Sequence, residues 1–325
     1  MKRFLLPGLA AVCVLMAPGA LRAQGRSTTL QQELQAAQAA LAAGHHDEAW
    51  PRYRRLAERG NALAQFVVGQ FLQQGWDRPV DQVAACNWFS KAAGQRVPYA
   101  EHLWADCLAQ GTGRKPDIVQ ALNWYERAAA DGHWLSLCTA ARYHIRGQGV
   151  TQDVPRGLAM CTRAAQAESP PAMLQLARYH QQDADVPQNL PGARYWYEQA
   201  ARRQQPEAQY RLGLMLAQGQ GGPADPDTAL HWLERAASAG YAEAYLPTAV
   251  LYGNADVQAD TGALAPAHLA KVYLWAAAAK ASHLPPPQQA LASSIESQAL
   301  AIMPPPWLPE LNRQIAEHLA RFAPP

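Results

Sequence analysis

Charge is scarce in this 325-residue sequence: only 17% of its residues are Asp, Glu, Lys or Arg, and the formal net charge is +2. A nucleic-acid binder normally presents a strongly basic domain, so that class is excluded. Phenylalanine is equally thin, five against ten tryptophans, on an alanine-rich background poor in valine and isoleucine. Pleated surfaces are built from β-branched residues, and strand-built classes fall with them. Familiar catalytic signatures are missing too: there is no Gly-x-Ser-x-Gly, no Cys-x-x-Cys and no His-Glu-x-x-His. What is present is a 49% hydrophobic chain, far too apolar for disorder and long enough for one large or two ordinary domains.

The apolar residues begin with a leader. Lys2 and Arg3 precede an apolar run from Phe4 to about Met16, and Leu21, Arg22 and Ala23 close it before Gln24. Charge, length and small-residue end are those of a secretory signal peptide over residues 1–23, cleaved after Ala23. The run is shorter than the roughly 20 residues a bilayer span needs, and no later stretch is long enough either, so no membrane span is expected. Cys13 lies inside the run after Val12, which argues against a lipid-attached terminus. Removing Lys2, Arg3 and Arg22 takes the 28 basic residues to 25 against 26 acids, a net charge of −1. Export to the periplasm is the expected localisation.

A 36-residue ruler organises the rest. It joins the pairs Ala92-Ala93, Ala128-Ala129, Ala164-Ala165, Ala200-Ala201 and Ala236-Ala237, and four residues earlier Trp88, Trp124, Met160, Trp196 and Trp232. It also joins Ala64, Ala100, Ser136, Ala172, Ala208 and Ala244, then Gly69, Ala105, Ala141, Ala177, Gly213 and Ala249, all of them small. Between these groups stand Gly75, Gly111, Gly147 and Gly219, followed by Asp81, Asp117, Asp153, Asn189 and Asp225. Asp or Asn opening an apolar periodic run is a helix N-cap signal. Each period therefore reads as helix, Gly-containing turn, helix. Small residues let paired helices approach to about 8–10 Å, and the tryptophans are expected in the core between neighbouring units. One pair cannot bury its apolar faces alone, so the stack is the domain.

The order Ala208, Gly213, Gly219, Gly221, Asp225, Ala229, Trp232, Ala236, Ala237 and Gly240 resembles the Sel-one-like repeat (SLR), a longer-period relative of the tetratricopeptide repeat. The resemblance implies an all-α, right-handed α-solenoid of antiparallel helix pairs. Six units are expected, at 61–96, 97–132, 133–168, 169–204, 205–240 and 241–282, the last carrying an insertion near residues 253–267 that delays its tryptophan to Trp275. Residues 24–60 read as a degenerate opening pair and 283–325 as capping helices, with helices expected at 288–303 and 307–322. Asp183 stands where the other turns have glycine, and Met160 stands where they have tryptophan.

Four cysteines remain after the leader: Cys86, Cys107, Cys138 and Cys161. Export allows disulfides to persist. Cys86 and Cys107 are equidistant from the turn near residue 96, and Cys138 and Cys161 from the turn near 150, so each couple faces across antiparallel helices. This suggests Cys86–Cys107 and Cys138–Cys161, with four buried free thiols as the alternative. The chain lacks the short-spaced cysteine pair in every unit that marks the disulfide-stapled branch of the repeat family.

No cofactor or metal is expected. His45, His46, Asp47 and Glu48 lie at the turn of the opening pair and read as turn and capping residues. His144 and His180 are one repeat apart, about 10 Å, too far for two bonds of about 2 Å to one zinc ion. Binding of another protein is the better destination. The resemblance places first helices on the concave face, and the register offers Gln70, Asp106, Arg142 and Arg178, then Gln74, Gln110, Arg146, Gln182 and Gln218, with Arg211 on the neighbouring stripe. Arg142, Arg146, Arg178 and Arg211 form a cluster suited to carboxylates; the alternative is a solvated face balanced by Glu207 and nearby acids. The resemblance implies a non-enzymatic periplasmic scaffold. Its most specific form is an immunity protein that neutralises a type VI secretion phospholipase, a lipase-type effector. The alternative is an adaptor in an envelope complex for exopolysaccharide, flagellar or secretion machinery, and more remotely a β-lactam-binding or hydrolysing enzyme.

Overall fold

The computed structural model describes residues 18–254, 264–282 and 284–322, with side chains from residue 30 onward. The first 17 residues of the expected leader lie outside the described residues, as does most of the insertion in the last repeat. Among the described residues the structure is all-α, with sixteen helices and no strand. Two compact units divide the chain, residues 1–131 and 132–325.

The first unit contains α1 (Pro18–Ala42), α2 (His46–Glu58), α3 (Ala62–Gln74), α4 (Gln82–Gly94), α5 (Pro98–Gln110) and α6 (Ile118–Ala130). The second contains α7 (Leu135–Arg146), α8 (Val154–Gln166), α9 (Pro170–Gln182), α10 (Leu190–Arg202), α11 (Pro206–Gln218), α12 (Pro226–Ser238), α13 (Tyr245–Gly253), α14 (Pro266–Ala281), α15 (Pro286–Ile302) and α16 (Leu308–Phe322). Within each unit the helices from α1 to α15 pack each on the next in sequence, and α16 packs on α14. Each unit is thus an α-solenoid of helix pairs.

Local chemistry sets the ends of these helices. Asp81, Asp117, Asp153, Asn189 and Asp225 are N-caps, and each side-chain Oδ1 accepts a bond from the backbone N–H three residues on, at 2.9–3.0 Å. Gly75, Gly111, Gly147 and Gly219 end the first helices in the left-handed conformation, with φ between 63° and 72°. Asp183, at the same register, instead leaves α9 extended at φ −78°, ψ 130°. A side chain in the left-handed region costs roughly 1–2 kcal/mol, and the chain escapes that cost here by giving up the cap. The turns that join one pair to the next have no such escape: Arg96, Glu168 and Gln204 all sit at φ 61°.

The small residues do what the ruler implies. Ala64, Ala100, Ser136, Ala172, Ala208 and Ala244 are fully buried. At Gly213 even one added carbon would lie 2.6 Å from Leu233 Cγ, so glycine is what lets α11 and α12 close. The tryptophans require a correction. Trp88, Trp124, Trp196 and Trp232 are only half-buried, and the core position is one residue later, where Phe89, Tyr125, Cys161, Tyr197 and Leu233 are buried with 0–1% exposure. Lys91, Arg127 and Arg235 lie over the rings of Trp88, Trp124 and Trp232 at 4.0, 4.8 and 5.4 Å. These indoles seal the seam from outside, Trp88, Trp124 and Trp232 with a cation on the ring, rather than filling it. Trp275 alone among the register's tryptophans is core, 3% exposed.

The cysteines meet as their register suggests. Cys86 on α4 and Cys107 on α5 have S–S 2.03 Å and Cα–Cα 5.9 Å; Cys138 on α7 and Cys161 on α8 have S–S 1.97 Å and Cα–Cα 4.2 Å. Alanine-lined helix pairs come close enough for a bridge that wider pairs could not hold.

Candidate protein-binding surface

In the first unit the nominated residues lie on α3 and α5. Gln74 and Gln110 are exposed near the helix ends, and Gln70 and Asp106 are half-buried. Asp106 accepts a hydrogen bond from the Tyr125 hydroxyl, and His102 Nε2 lies 3.5 Å from its other oxygen. Burial, partly offset by Asp106, lowers the His102 pKa. Asp106 is therefore held inward as much as it is offered outward.

In the second unit the residues sit on α7, α9 and α11, and the arginines are largely engaged. Arg178 forks onto both carboxylate oxygens of Glu207, Nε at 3.2 Å. Arg211 Nε lies 3.8 Å from the same Glu207, and its guanidinium is 5.6 Å from the Tyr210 ring. Arg146 reaches Asp183 at 3.0 Å and Asp185 at 3.5 Å. Arg142 stands apart, exposed, its guanidinium 5.3 Å from the Tyr143 ring. A cleft of about 210 Å³ gathers Arg178, Gln182 and Arg211 with Asp183 and Tyr197. The Tyr197 hydroxyl donates to Gln181 at 2.8 Å, and burial pushes that phenol up to about 12. Gln218 is exposed at the end of α11 and accepts from Gln220 at 2.8 Å. The face is an alternating ladder of arginine and carboxylate. Exposed pairs of this kind stabilise by about 0–1 kcal/mol each, so a partner's acid or base can exchange into them cheaply.

The stripe runs further than its polar members. Its register positions 70, 106, 142 and 178 continue to Leu214 and Val250, both lining a groove of about 1020 Å³ in the second unit. The same 36-residue step reaches them, but only if the stripe is followed after its residues cease to be polar.

The histidines singled out in the sequence stand in separate surroundings. His46 opens α2, stacks on Trp76 at 5.4 Å and approaches Asp77 at 3.3 Å. His144 is buried in α7, and His180 is half-buried in α9 with its pKa lowered by that burial. Among the described residues no three His, Cys, Asp or Glu side chains are grouped to bind a metal ion, and no helix is long and apolar enough to cross a membrane.

The Sel1 repeat model matches residues 62–96, 98–133, 137–169, 170–204 and 206–241, more than half of the chain. The chain belongs to the Sel1 repeat family. A Sel1 repeat protein from Oxalobacter formigenes is 32% identical, over 59% of this chain and 79% of that one, with a TM-score of 0.52. The structure of c5321, a protective antigen of uropathogenic Escherichia coli with an SLR fold, superposes with a TM-score of 0.58 at 20% identity, over 85% of this chain and 57% of that one. A looser likeness, TM-score 0.39 at 17% identity over 82% of each chain, is to the immunity protein PA5088 of Pseudomonas aeruginosa, and at that level it carries no argument. No curated protein matches the chain. The sixth helix pair, α13 and α14, lies beyond the last matched Sel1 repeat.

Proposed function

We propose that this Sel1 repeat protein is a recognition module that grips another protein through the outward side of its first helices. One observation carries the reading: at equivalent positions the inward side chains are uniformly small and buried, while the next register position carries Gln70 and Asp106 in the first unit and Arg142, Arg178, Leu214 and Val250 in the second, all half-buried or exposed. A constant frame with a changing row of side chains suits selective binding to an extended surface.

The finer reading is a periplasmic immunity protein for a lipase-type effector of a type VI secretion system. Its supports are the leader-like segment from Lys2 to Ala23 and two cysteine couples at disulfide distance, both features of exported chains. Co-purification of the mature chain with the product of an adjoining effector-type reading frame tests it. Binding and inhibition of that effector are expected, and absence of both rejects the immunity role in favour of an envelope adaptor. The Arg142→Glu/Arg178→Glu double variant tests the face itself. A partner held with unchanged affinity by that variant rejects the face.

A further inference from the structure

In the second unit the surface opens, at Leu214 and Val250, into the groove of about 1020 Å³. Helices α11 and α13 form one side, and the start of α15 and the end of α16 the other; Leu246, Leu319 and Phe322 line it with Leu214 and Val250. That volume is at the top of the ~300–1,000 Å³ typical of small-molecule pockets. Along α11 the lining runs from Tyr210 to Ala217, about two helical turns or about 11 Å, which matches side chains at i, i+3 or i+4, and i+7 of an incoming helix.

Charge selects the occupant. Among the described residues that line the groove, Glu243 is the one side chain charged at neutral pH, and it is exposed. Glu243 thus sets a negative field at this rim; the neighbouring Tyr241 phenol is pushed up to about 12 by burial first, then by Glu207 and Glu243, with Arg211 opposing. A fatty acid or phospholipid would set its own anion against that field. We propose that the groove binds an amphipathic helix of a partner protein, apolar face inward, with a Lys or Arg of that helix against Glu243. The proposal rests on the protein-binding reading above and specifies the chemistry of the partner.

The test pans a displayed library of 16-residue peptides on the oxidised mature chain, then measures synthetic versions of the enriched peptides by fluorescence anisotropy. Expected are peptides with apolar residues at helical spacing beside a Lys or Arg. Their affinity should fall about tenfold or more in Val250→Gln, and Glu243→Lys should reverse the preference toward peptides carrying Glu in place of the base. Circular dichroism melts verify that both variants fold; Glu243 is exposed, so its variant keeps the test decisive if Val250→Gln is unstable. No enrichment, enrichment of acidic peptides, or basic peptides bound equally by Glu243→Lys overturns the proposal, as does palmitate competing for the groove where no helix binds. If the groove fails while Arg142→Glu/Arg178→Glu still weakens partner capture, the broader face reading stands and only this proposal falls.

Discussion

Replacing Glu101 by glutamine should make the protein more stable at neutral pH, although it deletes a buried ion pair. Glu101 on α5 is fully buried; Arg127 Nε lies 2.7 Å from its Oε1, in poor alignment for a hydrogen bond. The equivalent residues Gln65 and Gln209 show what the site accommodates. Each donates its Nε2 at 3.2 Å to a carbonyl eight residues earlier, Ala57 and Ala201, at the end of the preceding helix. For residue 101 that carbonyl is Ala93, and an ionised carboxylate cannot donate to it. Burial raises the Glu101 pKa above the usual carboxylate range, outweighing Arg127, while Asp131 pushes the same way. With the folded pKa raised, the stabilising contribution is fully present below the unfolded pKa and is lost as pH rises through the folded one. The substituted glutamine would gain one neutral bond, about 1 kcal/mol, and lose attraction to an Arg127 whose side chain is 42% exposed, at most about 1 kcal/mol. Relief of carboxylate desolvation comes on top, so E101Q should be about 1 kcal/mol more stable at pH 7.5, or roughly 2–4 °C in Tm. Thermal melts from pH 4 to pH 8 should show the gap closing at the acid end, where the wild type is itself protonated. A variant less stable than wild type at pH 7.5, or one with the same pH slope, refutes the reasoning.

Relieving the left-handed turn residue should also stabilise: Gln204→Gly removes roughly 1 kcal/mol of strain against about half that in added chain entropy, and urea midpoints should rise by a net of about 0.5 kcal/mol. The converse change Gly240→Ala should cost about 1 kcal/mol or more, because φ there is 83° and the added carbon meets the Phe322 ring at 2.4 Å. Asn189→Ala deletes the cap on Gly192 N–H and should cost about 1 kcal/mol, whereas Asn189→Asp should be nearly neutral. Breaking Cys138–Cys161, which closes a segment of sequence separation 23, should cost about 3 kcal/mol, visible as a lower urea midpoint under reductant. Non-reducing peptide mapping should recover the two linked peptide pairs, and four free thiols would remove both bridges.

The helix frame was legible because caps are local. Asp81, Asp117, Asp153, Asn189 and Asp225 each mark a helix start without help from tertiary structure, and the cysteine register follows from the helix frame. Which of two adjacent bulky residues faces the axis is not local. Trp88 and Phe89, or Trp232 and Leu233, differ by about 100° on the helix, and both lie within a broad apolar arc. The packing of the next pair decides between them, and it chose the second. Glu101 hid for a similar reason: only burial distinguishes it from an ordinary surface acid. On the candidate surface, the outward row could be read from the register. Glu207 could be read too, as a balancing acid, but not that one carboxylate serves both Arg178 and Arg211, because it sits on a different repeat from Arg178.

The two cysteine bridges also shape how the chain breathes. They fasten α4 to α5 and α7 to α8, and no helix from α9 onward carries a cysteine. Stability in a repeat array is close to a sum of local and nearest-neighbour contributions, so a crosslink stiffens the helices it joins and does little for remote ones. Amide exchange should therefore be slowest around the bridged pairs and should quicken toward α11 and α13, with reductant flattening the difference. The helices that line the groove are the ones left free to yield, so a bound helix would spend part of its affinity on quieting them.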